Sequence, residues 1–302
     1  TTAALPRDHS AVAGRRGEAD VTSDAGRIRI AVFSTAWGAL TGGLIGVEFE
    51  DRGNGDAVIW SAVGGGIAGL GTSLWATGRR GIDPGRAMAI TSAGASGYAV
   101  GLSLALGTRI GERCYDDGEW GTWCEQNGSA IRWTSMGVSA VALAATAIVT
   151  RNLPPIPPGD VALVSSALAW GGATGAEIAT GIAGNGERAL WHGVLVGMVG
   201  GAAAGAIMSP SFAPSTGRMR LINLSAALGM GLGAAVAVTA DAEEFWAPLL
   251  AGQTLGLGAG VLLTRGSRPQ PAIAGVDVQL APWAHATDGG QTARGLALNA
   301  RW

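Results

Sequence analysis

The chain has no lysine, two cysteines, three histidines, four Phe and two Tyr in 302 residues, and only 14% of its residues are charged. Each shortage removes a class of function. Three scattered histidines (His9, His192, His285) do not supply a His-based metal centre. No HExxH, CxxC or Ser/His/Asp set is present, so the expectation is a protein that is not an enzyme, with no catalytic residues, cofactor or metal. A net charge of −2 leaves no basic footprint for nucleic acid. The run Gly229-Met-Gly231-Leu-Gly233 lies inside an apolar segment and follows no strand, which removes its value as a phosphate cradle. No secretory signal pattern is visible at Thr1, and a processed or truncated product is one expectation.

What the chain has instead is glycine, 51 of 302 residues, against a usual share near 7%. The glycines are in register. Four openings, Gly26-Arg27, Gly85-Arg86, Gly159-Asp160 and Gly217-Arg218, are each followed twelve and sixteen residues on by a small pair: Gly38 and Gly42, Gly97 and Gly101, Gly171 and Gly175, Gly229 and Gly233. Between these lie segments that start on Trp60, Trp133, Trp191 and Trp246, with Gly66, Ser139, Gly197 and Gly252 six residues later. The reading is one two-helix unit used four times. Segments 26–47, 57–78, 86–108, 131–151, 160–182, 188–208, 218–239 and 243–265 are each about 20 residues, roughly the 30 Å of a bilayer core at 1.5 Å per residue. The four hairpins are 26–78, 85–151, 159–208 and 217–265, separated by Pro/Gly breakers. A polar arm or linker is expected at 1–25 and an insertion at 109–130. A tail at 266–302 alternates apolar and polar residues around Asp288-Gly-Gly, which predicts a small β-hairpin.

The fold class expected is therefore all-α: four tandem glycine-rich helical hairpins, eight helices, transmembrane, with a C-terminal β-hairpin. The interiors of 86–105, 133–150, 191–208 and 221–239 hold no Asp, Glu or Arg, and helices apolar all round are buried or in lipid. In-phase GxxxG pairs supply the close seams that membrane helices use, which makes Gly38, Gly42, Gly97, Gly101, Gly171, Gly175, Gly229, Gly233, Gly66, Gly197 and Gly252 the expected packing residues. Against this, the mean hydropathy is only +0.30, and a soluble or lipid-surface helical assembly stays open. The linkers and flanks at the repeat starts carry ten Arg against two acidic residues, and the hairpin turns five Arg against thirteen. By the positive-inside rule both termini then face the cytoplasm; in an outer membrane, the alternative location, that rule does not apply.

Cys114 and Cys124, ten residues apart in the polar insertion with no His nearby, suit a local disulfide better than a metal site. Trp60, Trp133, Trp191 and Trp246 read as interface anchors, with Trp37 and Trp170 as packing residues, and Asn223 and Gln253 as hydrogen-bonders between helices. Glu177 and His192 lie seven residues before and eight after the turn near Gly184. Equal depth makes them a candidate intramembrane polar pair, unless both simply reach headgroups or water.

Segments such as Gly38-Ala-Leu-Thr-Gly42-Gly-Leu-Ile-Gly46 and Gly197-Met-Val-Gly200-Gly201-Ala-Ala-Ala-Gly205 resemble the glycine-zipper hairpin proteins of bacterial envelopes. The resemblance is one of repeat style over 26–265, and this chain departs from it in its Trp residues and cysteine loop. It implies a non-catalytic envelope subunit that packs with itself, as a homo-oligomer, or within a larger membrane complex in the lipid bilayer. The second expectation is a channel or transporter with Glu177 and His192 near the path.

Overall fold

The computed structural model describes residues 10–50, 55–78, 81–116, 118, 122–183, 186–240, 242, 244–265, 277–286 and 292–301, with backbone alone for 10–23, 122–123 and the last two ranges. Two units are distinguished, Thr1–Leu262 and Leu263–Trp302.

The first unit holds eight helices among its described residues: α1 (Ser10–Glu48), α2 (Asp56–Thr77), α3 (Pro84–Thr108), α4 (Gly128–Thr150), α5 (Pro158–Ala183), α6 (Glu187–Phe212), α7 (Thr216–Thr239) and α8 (Trp246–Leu263). All eight contain a stretch long and apolar enough to cross a membrane; in α1 it is Asp24–Glu48. The shortest, α8, has 18 residues, about 27 Å of helix. Two bounds differ from expectation. Helix α1 starts at Ser10, so the arm placed at 1–25 is helical from there on; its Ala, Arg and Glu residues are good helix formers that continue a helix already nucleated downstream. Helix α6 runs past Pro210 to Phe212, where a stop was expected. Near a helix end the missing N–H and the ring of proline disturb few remaining bonds.

The starts are fixed locally. Asp83 accepts from the backbone N–H of Arg86 at 2.9 Å, with Pro84 at the first helical position. Asn127 caps α4 through Ser129 N–H at 3.0 Å, and Ser215 caps α7 through Arg218 N–H at 3.2 Å. Each cap satisfies a donor that the helix itself leaves unpaired.

The interior is inverted relative to a water-soluble protein. The largest fully buried side chains are Gln253, Ser135 and Ser139. Leucine, isoleucine and valine point outward on every helix but α3, where they are half-buried: Ile67 is 67% exposed, Ile207 78% and Leu232 69%. One compact apolar cluster, Ala162, Leu163, Met219 and Ile222, joins α5 to α7.

The helices pair as hairpins, α1–α2, α3–α4, α5–α6 and, through Gly229 and Gly252, α7–α8, while α1–α3, α3–α5, α3–α6 and α5–α7 link successive units. The repeat openings make the link. A Cβ placed on Gly26 would lie 2.3 Å from the carbonyl oxygen of Ile82; on Gly85, 1.8 Å from that of Ile156; on Gly159, 1.7 Å from that of Pro214. Each opening glycine thus receives the backbone of the linker that leads into the next hairpin, and no other residue type fits there. At Gly217, in the last hairpin, such a Cβ would meet none of the described residues within 4 Å.

The insertion after α3 forms a two-stranded antiparallel pair, β1 (Arg113–Asp116) and β2 (Thr122–Glu125), with Cys114 opposite Cys124 and the two joined as a disulfide. In the second unit β3 (Asp277–Ala286) and β4 (Thr292–Arg301) are antiparallel, Asp277 opposite Arg301 and Ala286 opposite Thr292.

Candidate functional site

The glycine seams are the first set of residues to place. Between α5 and α6, a Cβ on Gly171 would meet the Gly197 carbonyl oxygen at 2.3 Å, and one on Gly175 would meet that of Gly193 at 2.0 Å. Between α7 and α8, Gly229 and Gly252 stand in the same relation, 2.2 Å in each direction, and Gly233 faces the Pro248 carbonyl at 2.1 Å. Between α1 and α2, Gly38 meets Gly65 and Gly42 meets Ser61. The α3–α4 seam has glycine on one side only: Gly97 lies on Ser139 and Gly101 on Ser135. There the Ser139 hydroxyl donates to the Gly94 carbonyl oxygen at 2.6 Å. Gly66 is buried against α1 but packs less closely. A Cβ there would be at an ordinary 3.5 Å from Ala39 and Thr35, whereas its neighbour Gly65 is the close contact. In α2 the seam positions Ser61 and Gly65 fall one and five residues after the Trp, each one fewer than in the other units.

The polar groups at helix depth form the second set, and they gather where α5 meets α7 and α8. Asn223 of α7 donates to Ser166 Oγ at 2.8 Å and accepts from the Trp170 indole N–H at 3.0 Å. Gln253 of α8 is fully buried and donates through Nε2 to Thr174 Oγ1 at 2.7 Å and the Trp170 carbonyl at 3.4 Å. Trp246, at the start of α8, lies against Gly181, where a Cβ would fall 2.4 Å from its ring. Ser166, Trp170, Thr174 and Gly181 thus mark the face that α5 turns to the last hairpin. Glu177 lies on that same face, three residues beyond Thr174 and four before Gly181. It is 8% exposed and its Oε2 has no hydrogen-bond partner; nor has Oε1 of Gln253.

His192 is elsewhere. Its ring lies against Gly107 of α3, and Nδ1 bonds the Arg188 carbonyl oxygen at 2.9 Å. Among the described residues no hydrogen bond or ion pair joins it to Glu177, so the pair expected from equal depth is not a contact. His192 instead lines a shallow apolar groove of about 550 Å³ along the α5–α6 seam, with Gly175, Ile178 and Val196.

Trp60 and Trp133 are 71% and 51% exposed, whereas Trp191 and Trp246 are half-buried. Trp37 stacks on Phe33 and meets Tyr98 of α3 edge-on, ring centroids 5.7 Å apart. Glu112 lies within ligand distance of Cys114 and Cys124, but the two sulfurs are bonded to each other and offer no thiolate. The sequence reading counted Glu48 and Arg132 only as charges; they are an ion pair, Nη2 to Oε1 at 2.6 Å, that ties α1 to α4. The signal available was that both flank segments of adjacent repeats on the turn side. Asn127, which opens the glycosylation pattern Asn127-Gly-Ser129, has its side chain in use as a helix cap. No family model, curated protein or solved structure matches this chain.

Proposed function

We propose that the chain is a non-catalytic integral membrane subunit, a scaffold of four hairpins whose outer surface meets lipid acyl chains and further protein. The carrying observation is the inverted interior: polar and small side chains close the seams while Leu, Ile and Val point outward. In water such a surface would be a large continuous apolar patch; in a bilayer it is the solvated one. The arginine distribution supports an orientation with the linkers between hairpins in the cytoplasm and the Cys114–Cys124 insertion on the opposite, oxidising side. Partition tests the core of the reading. The protein should stay in the membrane through alkaline wash and enter solution with detergent, and a monodisperse preparation without detergent refutes it. Native mass spectrometry of the extracted protein gives the copy number and reveals any partner.

One observation favours a second reading, a channel or transporter: the orphan acceptors of Glu177 and Gln253 are buried within the candidate spans α5 and α8, where ionisable groups mark ion and proton pathways. Solute or proton flux into vesicles holding the purified protein would select this reading over the scaffold.

A further inference from the structure

Among the described residues two buried acceptor atoms lack a donor, and both lie in the α5–α8 interface: Oε2 of Glu177 and Oε1 of Gln253. The Gln253 amide is oriented by its own network. Its nitrogen faces the Thr174 hydroxyl and the Trp170 carbonyl; the carbonyl can only accept, and flipping the amide would set oxygen against that oxygen. Oε1 therefore points away from Trp170. Helical side chains lean toward their own N-terminus. Helices α5 and α8 are antiparallel, since Gly181 meets Trp246 and Thr174 meets Gln253. Glu177 therefore leans back toward Thr174 while Gln253 leans toward the level of Glu177, and the two side chains converge. Left as they are, two acceptors stay unsatisfied away from water, a costly arrangement. A single hydrogen between them satisfies both.

We propose that Glu177 and Gln253 form a proton-holding site, the carboxyl O–H at Oε2 of Glu177 donating to Oε1 of Gln253. No charge on the packed helices competes. Helix α8 has no ionisable residue from Trp246 to Leu263, α7 has Arg218 and Arg220 in its first turns, and α3 has Arg86 at its start. All three arginines are at the end of the array away from Glu177. Helix α5 itself adds Asp160, in its first turn. Helix α6 carries Glu187, Arg188 and His192, and His192 is turned to α3. The site stands whether the protein is a scaffold or a conductor of ions.

Infrared difference spectra of the protein in lipid vesicles at neutral pH, wild type minus Glu177→Gln, read the site directly. The Gln amide keeps a donor toward Oε1, so this variant should fold. The expected difference is the carbonyl stretch of a protonated carboxylic acid, present in the wild type, lost in the variant and moved to higher wavenumber in Gln253→Leu. Dicyclohexylcarbodiimide gives a second readout on the unaltered chain. The acid proton passes to a carbodiimide nitrogen, the carboxylate oxygen bonds the central carbon, and the adduct rearranges to an N-acylurea. The peptide containing Glu177 should gain the mass of one reagent at neutral pH, and labelling should fall to background in Glu177→Gln. A carboxylate band for Glu177 in place of the acid band overturns the proposal. So does sodium protection against the reagent at constant pH, which would assign a metal cation to the site instead of a proton.

Discussion

Gly171 and Gly197 face each other across the α5–α6 seam so closely that a methyl on either would stand 2.3 or 2.1 Å from the other's carbonyl oxygen. The helices are held apart by backbone alone, and any side chain there must push them apart. Gly171→Ala should lower stability by about 1–3 kcal/mol, the usual cost of overpacking. Gly200, on the same helix as Gly197 but with open space around it, is the control. Gly200→Ala should be neutral or stabilising by up to about 1 kcal/mol, from helix propensity. Thermal unfolding in one detergent compares the two variants, and equal effects would refute the seam.

The same contrast operates one residue apart in α2. Gly65→Ala should disturb the α1–α2 hairpin, because its Cβ would meet the Gly38 carbonyl at 2.1 Å, while Gly66→Ala has an ordinary 3.5 Å of clearance. Protease resistance of the purified variants should fall for the first and hold for the second.

Asn223 joins α7 to α5 by bonding both Ser166 and Trp170. Asn223→Leu removes both bonds and leaves the indole N–H without its acceptor. Interhelical bonds in membranes contribute on the order of 1 kcal/mol each. A double-mutant cycle with Ser166→Ala should therefore show a coupling of about 0.5–1.5 kcal/mol, and zero coupling would mean the contact carries no energy.

Cys114 and Cys124 should not react with a maleimide in native membranes until a reductant is added, after which both should label. The pair closes a small hairpin outside the helices. Cys114→Ser with Cys124→Ser should therefore leave helical content by circular dichroism unchanged and expose the insertion to protease. Labelling before reduction would place the insertion in a reducing compartment and reverse the proposed orientation.

Much of this fold was legible in the sequence because its period is carried by glycines that meet backbone. Gly38, Gly97, Gly171 and Gly229 all lie in seams, and their spacing alone marks the helices. Depth was legible too: counting from the turn near Gly184 puts Glu177 and His192 at one level. Azimuth was not. Which way α5 turns Glu177 depends on where the following hairpin docks, and that is set by Asn223, Trp246 and Gln253, the last of them 76 residues further on. The N-terminal extension of α1 escaped for a different reason. Its residues 10–25 are polar, and polarity hides a helix whose register is supplied by the apolar stretch after it.

The linker contacts at Gly26, Gly85 and Gly159 make the array modular in length. Each hairpin closes over the one before it by setting a backbone carbonyl on a glycine already in place, so the ribosome can release the structure one finished unit at a time. Among the described residues nothing is seated on Gly217. The same contact would serve three hairpins or five, and four is a count that the contacts themselves do not fix.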